Sequence, residues 1–258
     1  MSWFEVLAIF AAGVAAGTIN TIVGSGSLIT FPTLLAFGFP PVTANVSNNI
    51  GLVPGGVSGT WGYRCELAGQ GRLLRLLAPM SFVGAMVGAL LLLRLPASAF
   101  EAIVPVLLAI SLVLVVLQPR LQARVAARHA DPDQDESRWH RALLMAGTLG
   151  AGAYGGYFGA AQGVLLMGLL GSLVPESMQR LNGVKNVLAL VVNSVAALTF
   201  LVVARDHIDW RVVALIAAGS LLGGVLGSRY GRRLPPGALR VFIVVVGLVA
   251  IVKVVTTG

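Results

Sequence analysis

"LNGVKN" (residues 181–186) runs directly into "VLALVVNSVAALTFLVVA" (187–204), an apolar stretch long enough to cross a bilayer together with the turn before it. Lysine occurs only twice in the chain, as Lys185 and Lys253, and Lys185 stands at the mouth of this stretch with Asn182 and Asn186 beside it. On insertion scales a lysine inside the membrane boundary costs about 2.5–3.5 kcal/mol. A bland reading, snorkelling to the surface, competes with a functional one. Arg180 already supplies a surface anchor one turn earlier, and Lys185 lies deeper.

The composition fits a membrane setting. Of 258 residues 57% are apolar and 11% charged, too little polar surface to cover a water-soluble globule. The net charge of +8 is carried by arginines in short stretches between apolar runs, which is cytoplasmic anchoring by the positive-inside rule rather than a nucleic-acid face. Cys65 is the single cysteine, so no internal disulfide and no thiolate metal site is expected. "MSWFEVLAIFAAGVAAG" (1–17) has an acid and no base before its apolar run, which reads as a retained first helix and not a signal peptide.

Ten apolar runs follow, at about 3–22, 25–38, 43–63, 73–94, 98–118, 141–158, 160–174, 181–204, 210–230 and 236–256. Those at 25–38 and 160–174 fall short of a full crossing and begin in "GSGS" (24–27) and "GAAQG" (159–163), which marks them as half-helices or re-entrant hairpins. The stretch 119–140, with mixed charges and Pro132, reads as a solvated cytoplasmic linker. It divides the chain into an N-terminal repeat (1–118) and a C-terminal repeat (141–258). Gly17 and Gly24 match Gly152 and Gly159; "ANVSNN" (44–49) matches "LNGVKN"; "RLPASAF" (94–100) matches "RLPPGAL" (233–239).

The expected fold is therefore an all-α polytopic membrane protein of two repeats, each of about five apolar segments, with 8–10 transmembrane segments in all. If all ten runs cross, the arginine-rich connections share one side and the repeats are inverted. If the two short runs do not cross, the repeats are parallel and the arginines at 229–240 fall outside, against the rule. The inverted arrangement is preferred.

All seven asparagines (Asn20, Asn45, Asn48, Asn49, Asn182, Asn186 and Asn193) lie in or at the edge of the first three runs of a half. Any one of them could simply glue helices, at about 0.6 kcal/mol per contact. No carboxylate sits in the middle of a run, which argues against an intramembrane cation site or a carboxylate proton relay. With a positive charge, amides and hydroxyls, the ligand expected is an anion. Lys185 would supply the counter-charge, and Asn45, Asn49, Asn182 and Asn186 hydrogen bonds. Ser25, Ser27 and Gln162, with the backbone at Gly24 and Gly159, would form a cradle at helix starts. The glycine ladder Gly219, Gly223, Gly227 and Gly231, with Gly84 and Gly88, reads as scaffold or as a homodimer contact.

Residues 17–59, "GTINTIVGSGSLITFPTLLAFGFPPVTANVSNNIGLVPGGVSG", resemble the first-half signature of the sulfite exporter TauE/SafE family. "GAYGGYFGAAQGVLLMGLL" (152–170) and "LNGVKNVLALVVNSVAALTF" (181–200) resemble its second half, including the lysine. The two serines of "GSGS" depart from the family's usual glycine-rich stretch and bear on selectivity. The resemblance implies a multi-pass inner-membrane permease for small anions such as sulfite, organosulfonates or carboxylates. No phosphate-loop pattern, cofactor motif or metal-ligand grouping is present, so no ATP drive within the chain, no cofactor, no metal and no catalytic residues are expected. A membrane-embedded enzyme, an assembly factor and a passive anion channel are the alternatives; Ser194 near Lys185 is too weak a pairing for a hydrolytic dyad.

Overall fold

The computed structural model describes residues 1–128 and 138–231 and, in the last segment, 241, 243–246 and 248. Its ordered elements are helical: α1 (Trp3–Ile22), α2 (Ser27–Ala36), α3 (Pro41–Gly62), α4 (Gly71–Arg94), α5 (Ala97–Arg128), α6 (Arg138–Tyr157), α7 (Gln162–Leu173), α8 (Met178–Val203), a single 3-10 turn at Arg205–His207, and α9 (Trp210–Tyr230). Among the described residues five helices are long and apolar enough to span a membrane: α1, α4, α5 as far as Arg120, α8 and α9. At about 1.5 Å per residue the 10 residues of α2 and 12 of α7 reach roughly half of a 30 Å hydrocarbon core. The two short runs are thus half-helices, as expected. Most of the tenth run, Lys253, Pro132 and the "RLPPGAL" match fall outside the described residues.

Local chemistry sets the boundaries. The Ser2 hydroxyl accepts from the Glu5 amide while the Glu5 carboxylate accepts from the Ser2 amide, a reciprocal cap that starts α1. Pro41 occupies the first turn of α3, where its missing N–H costs nothing. One boundary departs from the sequence reading. Helix α5 runs on through Pro119 to Arg128, and α6 begins at Arg138, so both ends of the expected 119–140 linker are helical.

The helices exchange partners between the halves. Helix α9 packs on α1 and α3, α4 packs on α6 and α8, and α3 and α8 also meet. Small residues permit these crossings: a Cβ on Gly223 would lie 2.1 Å from the Val14 carbonyl oxygen, and one on Gly88 2.0 Å from that of Ala153. The glycine ladder is accordingly consumed by α1 within the chain, which leaves it as scaffold. Outward faces carry Val106, Ile110, Val113, Leu198 and Val202, all exposed, as helices surrounded by lipid require. Trp3, Trp61, Trp139 and Trp210 are all exposed at helix ends, the level of the membrane interface.

Candidate functional site

Two helix breaks form the centre of the molecule. Helix α1 closes with the Val23 and Gly24 amides both donating to the Ile19 carbonyl, and α6 closes with the Phe158 and Gly159 amides both donating to that of Tyr154. Bonds reaching back five residues end a helix on a left-handed glycine, and Gly24 and Gly159 have φ of 88° and 78°. The two breaks touch. The Gly163 amide donates to the Gly24 carbonyl at 3.0 Å, and a Cβ on Gly24 would lie 2.4 Å from the Gly163 Cα. A Cβ on Gly159 would come within 3.9 Å of the Ser27 hydroxyl, so each break faces the start of the opposite half-helix. Phe31, Phe100 and Phe158 wall the second break, with Phe31 and Phe158 edge to face at 5.1 Å.

Closing a helix leaves its last carbonyls without intrahelical donors. At α1 these are met from α8. The Lys185 ammonium donates to the carbonyls of Asn20 (3.0 Å) and Thr21 (3.2 Å), and the Asn182 and Asn186 amides donate to Thr21 at 3.1 and 3.3 Å. One carbonyl with two lone pairs thus receives three donors. At α6 a single donor does this work: the Asn45 amide reaches the Tyr157 carbonyl at 2.9 Å. Lys185 is 0% exposed, and no carboxylate among the described residues pairs with it. Its protein partners are the carbonyls at the negative end of a helix, a contact the sequence reading does not include.

The matched hexapeptides share a further property. All six residues 44–49 of α3 and all six residues 181–186 of α8 are buried, where an amphipathic helix would expose part of each turn. A connection covers each one. The 63–70 segment lies over α8, with Leu67 and Glu66 against Gly183; the Asp209 amide, at the start of α9, donates to the Ser47 hydroxyl of α3.

The match to known proteins is broad: the sulfite exporter TauE/SafE family description covers residues 9–254. The chain belongs to this family. Relatives named as probable membrane transporter proteins are similar over almost their full lengths. The YfcA protein of Escherichia coli K12 is 27% identical over 95% of this chain and 87% of its own. That of Haemophilus influenzae is 26% identical over 97% and 95%, and ORF9 of a Sinorhizobium species 28% over 97% and 92%. No solved structure matches. As a TauE/SafE protein this chain is a multi-pass inner-membrane transporter, and the family is named for transport and not for catalysis.

Within this TauE/SafE fold nine of the ten residues singled out from sequence divide into two groups that meet at the breaks; the tenth, Asn49, is buried on α3. Lys185, Asn182 and Asn186 bind the end of α1; Asn45 binds the end of α6; Gly24, Gly159, Ser25, Ser27 and Gln162 form the breaks themselves. All but Gly159 are fully buried. The Ser25 hydroxyl, the Gln162 Nε2, and the Oδ1 atoms of Asn49 and Asn182 are buried without a hydrogen-bond partner among the described residues. Asn48 was counted among the asparagines but not given a role. Its amide bridges α2 and α3, donating to the Ser27 hydroxyl at 3.2 Å and accepting from the Thr30 hydroxyl. The hydroxyls at 27 and 30, one helical turn apart, were the available signal for it.

Proposed function

We propose that this TauE/SafE protein is a secondary transporter for a small monovalent oxyanion, of the sulfite, sulfonate or carboxylate kind, bound where the two helix breaks meet. One observation carries the reading: among the described residues a fully buried lysine bonds neutral carbonyls alone and shares an over-subscribed one with two amides. A buried cation without a counter-charge is costly, and spare donors around it favour an anion. Lys185 supplies the charge; Asn186, Ser25 and Gln162 supply further donors, and Asn48 holds Ser27 in place. The family's name adds sulfite to the anions to be tried first.

The two halves, taken as inverted repeats in which each half-helix returns the chain to the side its preceding helix left, suit alternating access around this point; the contact of the 63–70 connection with the start of α8 supports that path. Their matched glycine closures, the exchange of helices between halves and the paired buried hexapeptides support that arrangement.

The test is uptake of labelled sulfite by proteoliposomes against an imposed gradient, compared with Lys185→Ala. Saturable flux that the substitution abolishes is the expected result. Flux unchanged in the variant would remove Lys185 from the site, and flux that never saturates would favour a channel.

A further inference from the structure

The hydrogen-bond inventory of the site narrows the substrate. Because the Asn182 Nδ2 donates to the Thr21 carbonyl, the orientation of that amide is fixed, and its Oδ1 is an acceptor. Among the described residues this oxygen is buried without a partner, and its amide stands on the same turn of α8 as the Lys185 ammonium and bonds the same carbonyl through Nδ2. Asn49, on the matched turn of α3, likewise keeps a buried Oδ1 without a partner. A pocket for an anion made only of acceptor oxygens would be lined by donors alone; one with a fixed carbonyl beside its lysine sets lone pair against lone pair.

We infer that the site takes a singly charged anion carrying its own O–H or N–H donor, such as hydrogen sulfite, a hydroxy- or aminosulfonate or a hydroxycarboxylate, with Asn182 Oδ1 accepting that proton. This rests on the anion reading above. One lysine balances one negative charge, and the donor fills the orphaned acceptor. A site built to bond a substrate hydroxyl rejects the analogue lacking it, because its own polar atom is then left unpaired.

The experiment compares shape-matched pairs on the purified, folded chain in detergent, by calorimetry: glycolate against propionate, and hydroxymethanesulfonate against ethanesulfonate. The hydroxyl-bearing member of each pair is expected to bind roughly tenfold tighter or more. In Asn182→Leu that ratio falls toward one, while in Asn193→Leu, a buried asparagine outside the cluster, it is retained. Loss of Asn182 leaves Thr21 two donors, so the variant keeps the α1 closure. Equal binding of both members by the unsubstituted chain overturns this inference alone. Binding of neither overturns it together with the anion reading.

Contacts at the 63–70 connection carry a second, independent inference. The Gln70 amide donates to the Glu176 carboxylate at 2.8 Å; Arg180 donates to both Glu176 oxygens and, at 2.6 Å, to the Ala68 carbonyl. The Gln70 bond first, then Arg180, holds the Glu176 carboxyl below the usual carboxylate range. This network ties the α3–α4 connection of one half to the start of α8 in the other, over the turn that bears Asn182 and Lys185. We propose that residues 63–70 are a gate on the arginine-rich, cytoplasmic side, latched by Gln70, Glu176 and Arg180.

A Cβ on Gly183 would lie 3.6 Å from that of Glu66, the separation a disulfide spans. In a Cys65→Ser background carrying Ser25→Cys as reporter, Glu66→Cys with Gly183→Cys should therefore lock the gate on oxidation. In inside-out vesicles, alkylation at residue 25 by an impermeant maleimide, read by peptide mass, is expected to fall about tenfold in the locked form. Reduction before labelling should restore it, and Glu176→Gln without the lock should raise it. Equal labelling of locked and reduced forms, including none in either, overturns the gate.

Discussion

The ends of α1 and α6 are two solutions to one problem. Both helices stop on a glycine of positive φ with the same five-residue closing bond, and both must satisfy carbonyls in a place without bulk water. At α6 one amide suffices, from Asn45. At α1 two amides and the Lys185 Nζ converge on two carbonyls. Closure alone needs no more than an amide, so the lysine at α1 is surplus to it. On the anion reading proposed above, that surplus is what a ligand would use.

Four tests would break or sharpen this comparison. Gly24→Ala is expected to be the most damaging, at about 3 kcal/mol or more, because it combines a left-handed backbone with a Cβ driven into Gly163. Gly159→Ala crowds the Gly155 carbonyl at 3.1 Å and otherwise reaches the Ser27 hydroxyl at an ordinary 3.9 Å, and should cost about 1–2 kcal/mol. Thermal unfolding in detergent ranks the two, and equal losses would mean that the contact between breaks contributes nothing. Next, Lys185→Met keeps side-chain length without charge. Uptake should fall at least about a hundredfold while the melting temperature moves by only a few degrees, since removal of a buried charge offsets the lost bonds. A collapse of stability with no separate effect on flux would make Lys185 a cap and nothing else.

The third test sets the single donor against the shared ones. Asn45→Ala orphans the Tyr157 carbonyl and should cost about 1–3 kcal/mol, whereas Asn186→Ala leaves Thr21 two donors and should cost less. Reversal of that order in chemical or thermal unfolding would show that Thr21 is not over-supplied. The smallest effect is expected from Ala161→Gly. Ala161, the residue before α7, has φ of 61°, whereas Gly26, the residue before α2, has φ of −59°, and glycine at 161 should stabilise by about 0.5–1 kcal/mol. Destabilisation instead would show that the Ala161 methyl, which is buried, matters more than its backbone.

Much of this was legible because membrane solvation writes itself plainly into composition. The limits of α1 and α9 follow directly from where the apolar runs begin and end, and the half-helices from runs too short to cross. The region after Gln118 was harder. Pro119 and the mixed charges that follow read as a break, yet "RLQARVAAR" consists almost wholly of good helix formers, and the helix continues to Arg128. In the site, residue type marked Lys185 and the asparagines, but sequence could not say what lay opposite them. Asn45, Asn48 and Asn49 occupy one side of α3 by spacing alone. Only the arrival of Ser27 and Thr30 on α2 gives Asn48 its partners, and only the stop at Thr21 gives Lys185 its own.

That last pairing bears on how the protein is made. Lys185 meets carbonyls 164 and 165 residues earlier in the chain. Synthesis delivers α1 to the bilayer long before α8 has left the ribosome, so the landing place waits for the lysine and not the reverse. Until they meet, α8 carries a charge that hydrocarbon resists by about 2.5–3.5 kcal/mol. Entry of the eighth helix is thereby coupled to the correct placement of the first, and a chain that misplaces its beginning is penalised at its far half.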